Sequence, residues 1–524
     1  MNTHKLKQYT FAIFCAITTC FQTSCTQNFE EYNRNPTALT PEQMLGDNVL
    51  MGEKIKGISP VLVQGHQNDS QIIEQMVASE YGGYISCVNP WGNSGNFYTY
   101  NPRIGWIGIT FEKIMSQIYT SFFKIKEETG GKGIVYAWAQ IMRVAGSLKL
   151  SDTYGPIPYS KVSKENLTSS YDSMEELYNQ MFSDLQEAID VISISVSAGE
   201  DFTSLKDFDY FYQGDFKRWV KFANTLKLRM AMRLANVKPE LAQQKGEEAL
   251  THTIGVMTET GDAAWSSFND GMNPFYRSAY TWNGGECVVS ANLSSYLQGY
   301  EDPRLTKYIN EPENGSTGYA GVRNGIKQSQ GTFAAYQKWA KPRIGQDDKQ
   351  LVMSAAEAYF LRAEYALRWG KGNAREYYEK GVEISMSERG ATIGNYLKSA
   401  KTPASYKDPI NPLHNADAVT KVCPKYNESA QIEENLERIM IQKWLASFPN
   451  GWEAWVDFRR TGYPKRFPIV NNLSSEGVSS ERGMRRLPYP ESERNTNRKN
   501  YDAALVLLGG ADKGTTELWW AKKN

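Results

Sequence analysis

Helix signals in this sequence come in pairs, and this pairing restricts the possible folds more than any other feature. Apolar residues recur at steps of three and four in one stripe, and a second stripe with the same period follows after a loop. Ser173 and Glu176 form a capping box that begins the second helix. Upstream, Thr40, Pro41 and Gln43 predict a helix start near residue 41. The stripes consist of Ile134, Trp138, Ile141, Ala145 and Leu148, and of Leu177, Met181, Leu185, Ala188 and Ile192.

Three further helix pairs follow along the chain. Pro239 begins one helix, while Gly370 and Gly372 end another and Asn373 caps the next. Short antiparallel hairpins of this kind resemble tetratricopeptide repeats, although their spacing here is irregular. The sequence therefore predicts an all-α, mainly helical fold with about four tetratricopeptide-like helix pairs. The further pairs are expected at 215–236 with 239–250, within 354–386, and at 432–447 with 451–460.

The N-terminus has the pattern of an export signal. Lys5 and Lys7 precede the apolar run FAIFCAITTCF, which is too short for a permanent membrane span. Thr23 and Ser24 then lead directly into Cys25, as in a bacterial lipoprotein signal, so we expect Cys25 to carry lipid. The alternative is an ordinary signal peptide with an incidental cysteine. The expected organisation is a signal peptide at 1–24, a lipidated tether at 25–40 and a single domain at 41–524.

Charge and cysteine content exclude several classes of protein. The 58 Lys and Arg residues balance the 58 Asp and Glu residues, which argues against a nucleic-acid partner and indicates a solvated charged surface. After Cys25, Cys87, Cys287 and Cys423 remain, so at most one disulfide bond is possible and its pairing is open. No stretch after the signal is long and apolar enough to span a membrane, so the lipid is the expected membrane attachment.

The sequence contains little that indicates catalysis. His66, His252 and His414 are isolated, with no metal-ligand spacing, and neither a phosphate-loop order nor a GxSxG motif is present. We therefore expect no metal, no cofactor and no enzymatic activity. Two distant carboxylates could still form a glycosidase site, an alternative that one sequence leaves open.

Two segments rich in aromatic, glycine and amide residues predict a binding surface. They are 87–106 and 269–286, in loops between helices, where binding residues concentrate. A pyranose stacks its C–H groups on an aromatic ring while amides bind its hydroxyls. The alternative is that the rings fix these loops to the core. The predicted ligand-binding residues are Trp91, Asn96, Tyr98, Tyr276, Tyr280, Trp282 and Asn283.

Several ordered segments resemble the SusD/RagB family of outer-membrane lipoproteins, in the branch with PNGWEAW and RRLPYP blocks. The segments that carry the resemblance are SDTYGPIPYSKV (151–162), YDSMEELYNQMFSDLQEAI (171–189), GDFKRWVKFANTLKLRMAMR (214–233), AAEAYFLRAE (355–364), FPNGWEAWVDFRRTGYP (448–464) and RRLPYP (485–490). The resemblance implies four tetratricopeptide-like units packed against a loop-rich, irregular half. Trp452 and Trp455 in these blocks have helical spacing and are expected in the core.

The resemblance also implies a function. SusD-like proteins of Bacteroidetes lie on the cell surface and cover a SusC-type TonB-dependent porin, and they capture oligosaccharides or, in some members, peptides for import. We therefore expect a surface lipoprotein of the outer membrane that binds a glycan and closes such a porin, with a peptide-binding lid as the alternative. Glu30 and Glu31 are similar to the acidic stretch that directs such lipoproteins outward.

Overall fold

Antiparallel helix pairs make up most of the computed structural model. It describes residues 49–522 except 92–94, 166–167, 269–270, 313–314, 316 and 328. Met51–Asn524 forms one compact unit, and Met1–Leu50 forms another, of which residues 49 and 50 are described. The predicted signal peptide, Cys25, the tether and the helix start near residue 41 lie outside the described residues.

The α-helices and strands are numbered here in chain order. The helices are α1 Val49–Ile58, α2 Gln67–Ser70, α3 Ile104–Ile107, α4 Ile109–Thr129, α5 Gly133–Tyr154, α6 Met174–Ser197, α7 Phe216–Arg233, α8 Pro239–Thr251, α9 Pro274–Tyr276, α10 Ala291–Gly299, α11 Leu305–Tyr308, α12 Gln330–Tyr336, α13 Ala355–Trp369, α14 Ala374–Glu388, α15 Ile432–Ser447, α16 Gly451–Thr461, α17 Glu491–Thr496 and α18 Arg498–Leu508. A π-helix, Gln71–Ser79, follows α2 directly. The strands are β1 Ile85–Cys87, β2 Ala264–Ser266, β3 Cys287–Val289, β4 Ile309–Asn310, β5 Lys341–Pro342 and β6 Gln350–Met353.

The four predicted helix pairs are confirmed as α5 with α6, α7 with α8, α13 with α14, and α15 with α16. Ser173 accepts a hydrogen bond from the Glu176 backbone N–H, and the reciprocal bond completes the predicted capping box. Gly370 ends α13 in the left-handed conformation at φ 66°, and the Asn373 side chain caps α14. Local signals therefore set these helix boundaries correctly.

The apolar stripes of the first pair form part of the core. All five predicted residues of α6 are buried, and on α5 four are buried while Ile134 is half-buried. Trp452 and Trp455 are also buried, as expected. Helix α4 packs against α5 as an additional neighbour that the sequence pattern did not predict.

The strands form three two-stranded antiparallel ladders, β1 with β3, β2 with β6, and β4 with β5. In the first, Ile85 pairs with Val289 and Cys87 pairs with Cys287. Among the described residues, Cys87, Cys287 and Cys423 nevertheless form no disulfide bond. Burial raises the pKa of the Cys287 thiol to about 12. Cys287 and its strand partner Cys87 are both buried and behave as small apolar side chains.

Part of the charge lies in the core, which corrects the expectation that the charged residues form a solvated surface. Arg229 makes two hydrogen bonds of 2.8 Å to Glu357, and Arg233 contacts Glu453 at 2.5 Å. All four side chains are buried. The pairs join α7 to α13 and α16, and removal of one partner would leave the other charge buried without compensation. Two further buried pairs at the same junction are Arg460–Glu364 and Lys443–Asp457.

Candidate ligand-binding surface formed by two loops

The ladder of β1 and β3 brings the two ring-rich segments together. The first segment follows β1 and the second precedes β3, so both lie at the same end of this antiparallel ladder. Beyond the last strand pair, the Val88 N–H donates a hydrogen bond of 2.9 Å to the Glu286 carbonyl. The two segments, separated by more than 160 positions in sequence, therefore meet side by side. Residues 92–94 and 269–270 of these segments lie outside the described residues.

Glu286 connects the two loops through its carboxylate. Its Oε1 accepts hydrogen bonds from Asn89 Nδ2 of the first loop at 2.8 Å and from Asn283 Nδ2 of the second loop at 2.6 Å. Its Oε2 accepts from Gln71, the first residue of the π-helix. Glu286 is 3% exposed. Burial raises the pKa of this carboxyl, an effect that the Asn283, Gln71, Asn89 and Trp91 side chains oppose. We call Glu286 with these donors the Glu286 junction.

The first loop places Trp91 in contact with two other rings. Trp91 is half-buried, with ring centroids 5.9 Å from Tyr98 and 6.3 Å from Trp106. Its backbone adopts a φ of 37°, and its N–H donates to Asn89 Oδ1 at 3.0 Å. The guanidinium of Arg103 lies 4.7 Å from the Trp106 ring. Trp91 and Trp106 therefore form a partly exposed aromatic corner beside the Glu286 junction.

Tyr98 and Asn96 do not fit the predicted role in ligand binding. Tyr98 is 1% exposed, and its hydroxyl donates to the Asn89 carbonyl at 2.6 Å. Asn96 is also buried, and its Oδ1 accepts hydrogen bonds from the backbone N–H and hydroxyl of Thr99 at 2.9 and 2.7 Å. Both side chains hold the first loop in shape, which is the role that the alternative interpretation gave to the rings.

The second loop presents a stacked tyrosine pair and one tryptophan. Tyr276 and Tyr280 are half-buried and stack at 5.0 Å with an interplanar angle of 21°. The Tyr280 hydroxyl donates to the Pro342 carbonyl at 2.6 Å and accepts from Asn310 at 2.9 Å, which fixes the ring. Trp282 and Asn283 are the other two predicted residues of this loop, and neither is buried. None of these four side chains is fully buried, and their role in ligand binding stays a prediction.

Sequence reasoning missed the residues that organise the surface. Glu286, Gln71 and Trp106 were not predicted, although Trp106 ends the first ring-rich segment. The sequence signal for Glu286 was its position directly before the apolar strand CVV. An acidic side chain next to a buried strand is itself buried and needs several hydrogen-bond donors. The resulting surface offers rings, amides and the guanidinium of Arg103, which suits stacking and hydrogen bonding of a neutral polar ligand.

Neither a metal site nor a membrane-spanning helix is present among the described residues. Among those residues, no cluster of three or more His, Cys, Asp or Glu side chains has the geometry of a metal site. Within the same residues, no helix combines the length and apolar character that a membrane span requires.

Comparisons with known proteins give a consistent result. The family model described as SusD-like, "Susd and RagB outer membrane lipoprotein", matches residues 31–521. A SusD homologue from Bacteroides uniformis is 35% identical, with a TM-score of 0.85, and the match covers 90% of this chain and 99% of that chain. A chitin-binding SusD homologue from Flavobacterium johnsoniae is 34% identical, with a TM-score of 0.85 over 91% and 99% of the two chains. No curated protein sequence matches the chain.

Proposed function

The chain belongs to the SusD/RagB family of outer membrane lipoproteins, and from that premise we propose that it binds an oligosaccharide at the cell surface. The proposed site is the partly exposed surface of Trp91, Tyr276, Tyr280 and Trp282 with Asn283 beside them. The protein would be anchored through lipid on Cys25 and would act as the lid of a SusC-type TonB-dependent porin. It would bind its ligand without cleaving it.

The observation that carries this proposal is the Glu286 junction. One buried carboxylate holds Asn89 of the first loop and Asn283 of the second loop on the same oxygen, at 2.8 and 2.6 Å. The two loops that carry the rings are thereby joined before any ligand binds, which supports the proposal because a preformed surface reduces the ordering cost of binding. Amides and aromatic faces are the groups that bind sugar hydroxyls and C–H faces.

Chitin oligosaccharides are the first ligands to test, because a chitin-binding protein is among the similar structures. Stacking one sugar ring buries roughly 40–60 Å² of apolar surface, or about 1–1.5 kcal/mol. Trp282→Ala should therefore weaken binding of N-acetylglucosamine hexamers about tenfold in isothermal titration. The matched control is Trp369→Ala, a half-buried tryptophan at the end of α13 and outside the two loops.

Three results would decide among the alternatives. Equal affinity of the Trp282→Ala and Trp369→Ala variants for the glycan would remove Trp282 from the site. Binding of unmodified peptides with no response to a panel of neutral glycans would support the peptide-binding lid. A glycan-cleaving activity that copurifies with the protein would contradict the proposal of binding without cleavage.

A further inference from the structure

A second concave surface, lined by no residue of the two loops, carries a large excess of positive charge. It is an open groove with a volume of about 610 Å³. Two acidic side chains line it, Glu481 and Glu517, against six basic ones. We call it the basic groove, and its cations are Arg459, Lys465, Arg466, Arg482, Arg485 and Lys522. A groove of this volume has the size of a small-molecule site.

Within the described part of the chain, carboxylates leave three of these six cations without an ion pair. Glu517 pairs with Arg482 and, at 2.9 Å, with Arg485. Lys465 pairs with Glu437 at 3.3 Å. Among the residues that the structure describes, no carboxylate lies within ion-pair distance of Arg459, Arg466 or Lys522. The groove therefore keeps a net positive charge that an anion could neutralise.

Arg459 is the least compensated of these residues. It is 3% exposed, and its Nη1 donates to the Asp152 and Arg485 carbonyls at 2.5 and 2.9 Å rather than to a carboxylate. Its Nη2 is buried without an acceptor. A buried guanidinium nitrogen without an acceptor costs free energy. Arg459 lies in the wall of the groove.

The pKa values of the groove arginines show the same imbalance. Burial lowers the pKa of Arg459 well below its usual range, and the neighbouring Arg485 and Arg233 add to this effect. Burial likewise lowers the pKa of Arg466 to about 10. Other buried arginines of the core, such as Arg460, have raised pKa values because carboxylates outweigh their burial. The groove thus differs from the buried ion pairs that join the helices.

Aromatic rings hold two of the arginines in place. The Arg459 guanidinium lies 3.7 Å from the Trp455 ring centroid, and that of Arg466 lies 3.5 Å from the Phe458 ring centroid. Stacking restricts the rotamers of a long cationic side chain, so less entropy is lost when the cation binds an anion. Arg482, Lys465 and Lys522 lie at the edge of the groove, where a ligand can reach them.

We propose that the basic groove binds a small polyanion, a molecule that carries two or more sulfate, phosphate or carboxylate groups. Arginine binds such groups through two parallel hydrogen bonds. A discrete ligand fits better than a lipid surface, because Arg459 and Arg485 lie below the rim, where a flat membrane does not reach. None of the groove residues belongs to the two ring-rich loops.

Titration calorimetry of the full chain with inorganic pyrophosphate and with a sulfated disaccharide tests the proposal. Saturable binding that weakens with added salt is expected, because ions screen the interaction. The double variant Arg482→Gln/Lys522→Gln should weaken binding about tenfold, at roughly 0.7 kcal/mol for each exposed charge. The control Lys132→Gln/Lys217→Gln removes two exposed lysines that do not line the groove and should bind as the wild type does.

A variant that should strengthen anion binding distinguishes an electrostatic effect from a loss of folding. Glu517→Gln removes the acid that partly neutralises Arg482 and Arg485, so it should tighten binding of both probes. No heat of binding with either probe, or equal losses in the groove and control double variants, would overturn the proposal. So would binding only to anionic vesicles. Each variant should bind neutral N-acetylglucosamine hexamers as the wild type does. Loss of anion binding together with unchanged hexamer binding therefore concerns the basic groove and not the two-loop site.

Discussion

Removing the carboxylate of Glu286 is the most direct test of how the two loops are held together. In Glu286→Ala, the amides of Gln71, Asn89 and Asn283 lose their common acceptor. Asn89 is buried and Gln71 is half-buried, while Asn283 is near enough to solvent to bind water instead. At about 1–3 kcal/mol for each buried donor left unpaired, the expected loss is roughly 2–4 kcal/mol in the stability of the two-loop surface.

Glu286→Gln should behave very differently. The raised pKa of Glu286 shows that its hydrogen bonds do not fully offset the cost of burying its charge. A neutral side chain of the same shape removes that cost and keeps an oxygen for Asn89 and Asn283. The change in stability should therefore stay within about 1 kcal/mol. Because the folded pKa is raised, the contribution of Glu286 to stability is greater at low pH and falls as pH rises through that pKa, a dependence that Gln abolishes.

Hydrogen exchange measured by mass spectrometry can follow both loops separately. In Glu286→Ala, amides in 88–106 and in 274–286 should exchange about thirtyfold faster, the factor that corresponds to 2 kcal/mol, and glycan affinity should fall with them. Glu379→Ala, which removes a partly exposed ion pair with Arg375 on α14, is the control and should leave both loops unchanged. Faster exchange in one loop alone, or wild-type exchange in both, would refute the role of Glu286 as a connection between them.

Two further predictions concern a half-buried acid and the anchor. Burial raises the pKa of Glu388 to about 7, and one of its oxygens has no partner, so the native state binds a proton more tightly than the unfolded chain does. Glu388→Gln should be neutral at pH 5 and stabilising by roughly 2–3 kcal/mol at pH 8 in urea unfolding, and equal effects at both pH values would contradict this. Cys25→Ala should release the protein from the membrane fraction without changing its melting temperature, whereas unchanged fractionation would contradict lipidation of Cys25.

The helix pairs could be predicted because their signals are local. Ser173 and Asn373 fix helix starts through bonds to residues two or three positions away, and Gly370 fixes a helix end through its own φ. The strands could not be predicted in the same way. Three residues such as Ile85–Cys87 carry too little periodicity, and their pairing with β3 depends on contacts across about 200 positions.

The candidate site was predicted at the level of segments and less well at the level of residues. Ring-rich composition correctly identified two loops that meet, but composition does not state which face of a ring is covered. Tyr98 and Trp91 occur in the same loop, yet Tyr98 is enclosed because its hydroxyl reaches the Asn89 carbonyl. In a loop without a regular period, exposure depends on contacts of this kind rather than on spacing.

A continuous set of contacts explains how the scaffold positions the two loops. Trp452 of α16 donates through its indole nitrogen to Glu74 of the π-helix at 2.9 Å. The same π-helix begins with Gln71, which donates to Glu286, and Glu286 holds both loops. Because each contact is a directional hydrogen bond to a buried acid, a shift of α16 changes the position of the rings. For the proposed site, we therefore expect the core Trp452 of the PNGWEAW block to act by placing the loops, without contacting a ligand.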